Sequence, residues 1–476
     1  TAMAATDRRL AAPALALAAA LLGGCASLSP DAGFDGVRQA SQRLAGVEPV
    51  WARDDEARRA LEAQVAQRLA EPLSMDAAVQ VALLNNRHLQ ADFEELGIAD
   101  ADRVQALRWP NPGFSFGRST QGDEVELERG LHLNVGRLLA LPLIREVESR
   151  RFARAQGLAA TRVLQLVADT RQAWVQAVAA RQGVLYARQV MDAAEASAEL
   201  ARRMAAVGNF NKLQLAREQG FYADAALGLA RAELAERRSR ERLTRLLGLW
   251  GEQAAFRLPD RLPELPTAPR ELPQVERQAI AQRLDVQGAR LAVAQSARQL
   301  GLSGPLRFVD ALELGLMRNS SNEGPTQKGW EIGLQIPLFD FGDARRARAE
   351  AQYRQSVARA AALAIDARSE VREAYGAYRA AWDIARHQRD ERVPLARRVS
   401  EENLLRYNGM LIGVFELLAD ARVQIATVNA AIEAERDFWL AQVQLDMALI
   451  GRPGLDAAAA IAAAAPAAAA AADPGH

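Results

Sequence analysis

Four histidines, a single cysteine and a scatter of methionines are the side chains of this chain best suited to metal or nucleophilic chemistry. None of the histidines stands in a useful pattern. His88, His132, His387 and His476 are isolated, without a carboxylate or thiol partner at the spacings that hold zinc. Met191, Met204 and Met410 are too far apart for a methionine metal relay and read as helix-packing residues. Gly251 and the other glycines do not follow a strand in the arrangement that cradles a phosphate. The expectation is a protein that is not an enzyme and holds neither metal nor cofactor. With 59 basic and 59 acidic residues the formal net charge is zero, which leaves no electrostatic footprint for nucleic acid.

Cys25 is the one residue for which the surrounding sequence suggests a modification. Arg8-Arg9 precedes an apolar run from Leu10 to Leu22, too short for a stable membrane anchor, and the run ends in Leu22-Gly23-Gly24-Cys25. That ending resembles a bacterial lipoprotein signal, which implies cleavage before Cys25 and lipidation (palmitate) of its thiol. A plain secretory signal with a chance cysteine is the other reading. Ala26 stands where an aspartate would, by the same resemblance, suggest inner-membrane retention, so the outer membrane is the expected address. As the only cysteine, Cys25 leaves no internal disulfide possible. Beyond this segment no run approaches the ~20 apolar residues of a transmembrane helix, so any membrane span must be β.

Half of the residues are hydrophobic, but only 5% are aromatic. Ala and Leu mixed with Arg, Glu and Gln suit long, closely packed helices. Ser74 is a plausible N-cap for a helix through Asn86; a further helical stretch stops near Leu107, ahead of Trp109-Pro110-Asn111-Pro112. There the period changes to two. Phe114 and Phe116 alternate with Ser115 and Gly117, and after a polar turn at 119–123 the apolar Val125, Leu127, Leu131, Leu133 and Val135 alternate with polar Glu126, Glu128, His132 and Asn134. His132 thus reads as a residue of the polar face. A second hairpin places Trp330, Ile332, Leu334 and Ile336 on one face, with its partner strand inside 306–317 and a polar connection over 318–329. Four strands of about ten residues match a bilayer crossing, yet membrane barrels need about eight, so the barrel must be shared between subunits.

After each hairpin, Pro142 or Pro337 is expected to release the chain into a long helix, about 143–206 and 343–406, the second interrupted only at Pro394. Val163, Val167, Trp174, Val178 and Leu185 form one stripe, and Val357, Ala364, Val371, Tyr378 and Ala385 another at seven-residue spacing, the mark of coiled-coil packing. The second half repeats the first. The breaks at Val207-Gly208-Asn209 and Tyr407-Asn408-Gly409 correspond, Val81 to Asn86 is answered by Gln278 to Arg283, and Leu246-Leu247-Gly248 by Leu449-Ile450-Gly451. This gives a signal peptide at 1–24, a lipidated segment at 25–72, repeats at 73–257 and 274–452, a Pro-rich linker at 258–273, and an Ala-rich tail at 453–476.

The order helix, two strands, long helix, glycine turn and returning helix, all stated twice, resembles the TolC-type outer-membrane channel family across about 73–451. The residues that bear the likeness are Leu83-Leu84-Asn85-Asn86 followed by Trp109-Pro110-Asn111-Pro112, Gly333 to Phe339, and Tyr407-Asn408-Gly409 leading into Phe415 to Ala421. The resemblance implies a mainly α fold with a small membrane β part: a homotrimer whose 12-stranded barrel crosses the outer-membrane lipid above an α-helical periplasmic tunnel. It implies a passive exit duct for drugs, metal ions or other small molecules, working with a periplasmic adaptor (membrane fusion) protein and an inner-membrane efflux pump that is proton-driven. Gly208, Asn209, Gly409 and Met410 would form the tips that dock the adaptor. Tyr407 matches the family's gate tyrosine and Glu416 an acidic gate position; a second acidic position falls on Ala419, where Asp420, on the face of Glu416, would substitute. A solvated helix face is the other reading of Glu416 and Asp420, and an ordinary helix C-cap with positive φ that of the tip glycines. A periplasmic coiled-coil scaffold lipoprotein and an exit duct of type I secretion are the alternative functions.

Overall fold

The computed structural model describes residues 27–302, 312–334 and 342–452. Several of its helices begin where side-chain oxygens take free N–H groups. Helix α1 (Phe34–Ala45) is followed by α2 (Asp55–Leu69), opened by Asp54, and α3 (Met75–Asn85), opened by Ser74, whose hydroxyl accepts from the Ala77 N–H at 3.2 Å. Asn86 ends α3 and caps α4 (Arg87–Leu107), accepting from the Leu89 N–H at 3.0 Å. Strands β1 (Gly113–Gln121) and β2 (Glu124–Asn134) lead into α5 (Val135–Ala206), which returns as α6 (Lys212–Leu247). The second copy runs α7 (Val275–Gln282), α8 (Leu284–Leu302), β3 (Leu312–Ser321), β4 (Gln327–Leu334), α9 (Asp343–His387), α10 (Val393–Asn408) and α11 (Val414–Ile450).

The strands form one antiparallel sheet in the order β1-β2-β3-β4, so the two hairpins meet along β2 and β3. The hairpin tips are also tied: Asn322 accepts from the Val125 N–H at 2.7 Å and donates to the Asp123 carbonyl at 2.9 Å. Both turns are shorter than the sequence suggests. Residues 119–121 belong to β1, and 318–321 and 327–329 to β3 and β4, because cross-strand pairing satisfies their backbone and leaves a turn only at 322–326. Strand β3 runs on to Ser321, past the expected end at Met317, and the earlier part of the expected strand, before Leu312, lies outside the described residues, as do Pro337 and the tail.

Helix α5 holds 72 residues, roughly 110 Å at 1.5 Å per residue. Its start departs from expectation. Val135 is helical, not a strand residue, because the Asn134 side chain accepts from the Arg137 N–H at 2.8 Å and starts the helix where the strand stops. Pro142 therefore lies inside the helix, where it forfeits the bond to the Leu138 carbonyl, a local loss in so long an element. Pro394 is also accommodated. A π-helical turn at Gln388–Arg392 joins α9 to α10, and the proline follows it as the second residue of α10.

The cores gather at mid-length of the long helices. Val163, Val167, Trp174 and Val178 are buried, as are Val371, Tyr378 and Ala385, whereas Leu185 and Val357 at the stripe ends are exposed. The Pro-rich segment at 258–273 carries buried leucines and is tied to the helices: the Trp439 indole donates to the Pro263 carbonyl at 3.1 Å and the Trp382 indole to the Pro266 carbonyl at 3.0 Å. Trp439 packs against the cores of both repeats, which joins them.

Candidate functional site

Register and pleat assign each strand residue to a face. Phe114, Leu131, Leu316 and Trp330 stand in one row, with Leu133, Leu314 and Ile332 beside them. This apolar face has no covering layer: Phe114 is 70% and Trp330 69% exposed, and Phe116, Leu316 and Ile332 are exposed as well. Leu334 is in register with Leu312, and Ile336 lies outside the described residues.

The other face carries Glu124, Glu126, Glu128, Glu313, Glu331 and His132, with the Ser115 hydroxyl 3.0 Å from His132 Nε2. Every basic residue of the strands, Arg118, Arg129, Arg318 and Lys328, is on the apolar face instead. The alternation seen in sequence passes over Arg129 and Arg318, because only the cross-strand register reveals that they share a row.

At the far end of the helices are two tips of different build. Between α5 and α6, Gly208 adopts φ +82°, and the Asn209 N–H reaches back to the Met204 carbonyl at 2.9 Å. Asn211 then starts α6 through a capping box with Gln214, at 2.9 and 2.8 Å. Between α10 and α11 the left-handed position is shifted. Gly409 has φ −79° and Met410 takes φ +59°, with the Leu411 N–H bonded to the Arg406 carbonyl at 2.8 Å. The structural counterpart of Gly208 is thus Met410, not Gly409, and Met410 is 93% exposed. No side chain caps α11 at Gly413.

Of the expected gate residues, Tyr407 and Glu416 are exposed and Asp420 is half-buried, with its Oδ2 enclosed and without a hydrogen-bond partner. No hydrogen bond or ion pair among the described residues links the three. A different set joins the two helical hairpins near the tips. Glu218 on α6, buried, accepts from the Ser197 hydroxyl of α5 at 2.8 Å and from Arg422 of α11 at 2.9 Å, while the Arg422 guanidinium lies 4.6 Å from the Phe221 ring centre. Sequence reading missed this cluster, since Arg422 lies 204 positions from Glu218. Cys25 lies outside the described residues.

No helix among the described residues is long and apolar enough to cross a membrane. No family model matches the chain. Over 338 residues the chain is 29% identical to Protein CyaE of Bordetella pertussis, covering 65% of this chain and 70% of that protein. A membrane protein from Pseudomonas aeruginosa superposes with a TM-score of 0.67 at 20% identity, over 79% of this chain and 92% of the other. The Campylobacter jejuni CmeC outer membrane channel gives 0.65 at 14% identity, over 82% and 89%. The fold is that of the TolC-type outer-membrane channels.

Proposed function

We propose that this chain is the outer-membrane exit duct of a tripartite efflux system, conducting small molecules passively from the periplasm to the exterior. The observation that carries the reading is the two-faced sheet: an uncovered apolar face backed by a polar one, at the end of helices far too long for a compact domain. Four strands leave both β1 and β4 with unpaired edges, and three copies joined edge to edge would close a 12-stranded barrel with its polar face inside. The helical hairpins would then form a periplasmic tunnel whose tips meet an adaptor and, through it, a pump. The acyl anchor at Cys25 would hold the assembly to the same membrane.

A gate belongs at the second tip. Glu416 and Asp420 lie in the first two turns of α11, the helix that follows the strained turn at Met410, and three copies would bring their carboxylates together at the tunnel mouth. Detergent-extracted protein should migrate as a heat-resistant trimer in electrophoresis and conduct in a planar bilayer, where Glu416→Ala with Asp420→Ala should raise the single-channel conductance. A monomer soluble without detergent and lacking a β signal in circular dichroism would overturn the channel reading; unchanged conductance would return the two acids to an ordinary helix surface.

A further inference from the structure

The basic residues on the lipid-facing side of the sheet need an explanation that conduction does not supply. Arg129, Arg318 and Lys328 stand directly opposite one another on three neighbouring strands, in a single row that begins with Phe116 on β1. Arg118 is one row further toward the turns. Adjacent strands lie about 4.8 Å apart, so the three cationic side chains rise from backbone spanning only about 10 Å. Like charges set directly opposite repel one another. Among the described residues none of the four has an ion-pair partner, and every glutamate of the strands points to the opposite face. A row of this kind persists where something anionic comes to it from outside the chain.

Its height in the sheet says what that is. The row lies six residues beyond Leu312, about 20 Å along the strand, on the side of the hairpin turns and remote from the helices. Between it and the helices the face is apolar, and aromatic Phe114, Phe116 and Trp330 sit in the row itself or the next one. Aromatic residues at this position mark the edge of the hydrocarbon band in membrane barrels. Arginine forks match phosphate oxygens in two-point contacts, and lysine adds a point charge.

We infer that Arg129, Arg318 and Lys328 form a binding row for the phosphates of the outer-leaflet glycolipid, lipid A, with Arg118 as an outer flank. This rests on the outer-membrane reading above, because that reading sets the turns outward. Three copies would present the row three times around the barrel.

The test uses the full chain, extracted as a trimer and placed in nanodiscs containing diphosphorylated lipid A, with phosphate-free lipid A and phosphatidylglycerol as competitors. Wild type should retain the diphosphorylated lipid through delipidation. Replacing Arg129→Gln, Arg318→Gln and Lys328→Gln together should cut retention roughly a hundredfold, about fivefold per basic group. Arg129→Lys with Arg318→Lys, which keeps the charge, should retain most of it and shows that the sheet tolerates change at the row. Equal retention by the glutamine variant, or no preference of wild type for phosphorylated over phosphate-free lipid, would overturn the inference and leave the channel intact. Preference for phosphatidylglycerol would overturn its assignment to the outer leaflet. Failure of wild type to enter the nanodisc as a trimer would overturn the channel reading as well.

Discussion

The two halves of the chain solve the same problem, the free carbonyls at the end of a returning helix, with different chemistry. In the first, Asn85 donates to the carbonyls of Leu247 and Gly248 at 3.1 and 2.8 Å, and Asn86 to that of Leu246 at 2.8 Å. In the second, Arg283 occupies the place of Asn86. Its side chain is fully buried, reaches the Ala448 carbonyl at 3.5 Å, bonds Asp285 at 2.7 Å, and forms an ion pair with Glu370 at 2.7 Å. Burial works against its charge, but Asp285 and Glu370 outweigh that and hold its pKa above the ordinary arginine value. Neutral amides cap one helix and a charged network caps the other, so corresponding places in the two halves are closed by different chemistry.

The sharpest way to break this comparison is to empty both caps. Arg283→Ala leaves Asp285 without its cation and Glu370 with Arg452 alone, and should destabilise the extracted protein by about 3 kcal/mol or more, read by denaturant unfolding. Asn86→Ala leaves the part-buried Leu246 carbonyl and the Leu89 N–H of the α4 cap without their partner, and should cost about 1–3 kcal/mol in the same assay. Equal losses would erase the distinction between the two ends. At Gly248, φ is +65° and an added Cβ would lie 2.6 Å from the Asn85 carbonyl oxygen, so the first cap also depends on glycine; Gly451, with φ −170°, has no such need of positive φ.

The tips give the next contrast. Gly208→Ala should cost about 1–2 kcal/mol through backbone strain alone, since nothing lies within 4 Å of the added Cβ. Met410→Gly should gain about 1 kcal/mol, because it relieves a left-handed methionine. Strain left in place at an exposed turn is typical of working surfaces. An adaptor-dependent function that survives Met410→Gly with unchanged binding in pull-down would argue that the second tip is not one. The smallest effects belong to the caps that follow: Asn211→Ala should cost about 1 kcal/mol, whereas Gly413→Asp should gain only a few tenths of a kcal/mol at the uncapped second tip, both measured as shifts in unfolding midpoint.

Much of this architecture was legible because it is written in local signals. Ser74, Asn86 and the prolines at 110 and 112 set helix ends, and period-two alternation set the strands at Phe114 and Trp330. Duplication located both tips, though by one residue too few at the second, where methionine takes the conformation that glycine usually takes. What escaped was whatever long-range pairing decides. The Ser197–Glu218–Arg422 cluster, the burial of Arg283 and the shared row of Arg129, Arg318 and Lys328 all join residues distant in sequence, and no local pattern announces them. Pro142 misled for a related reason: a strong cap at Asn134 outweighed a breaker eight residues on.

The central claim is that the apolar face of the sheet meets lipid. Tryptophan quenching by brominated lipids in proteoliposomes tests it directly, since Trp330 projects from that face whereas Trp174 and Trp382 are buried in the helical cores. Wild type should show a quenchable component that Trp330→Phe removes. Quenching unaltered by Trp330→Phe would place the sheet away from the bilayer and contradict the account.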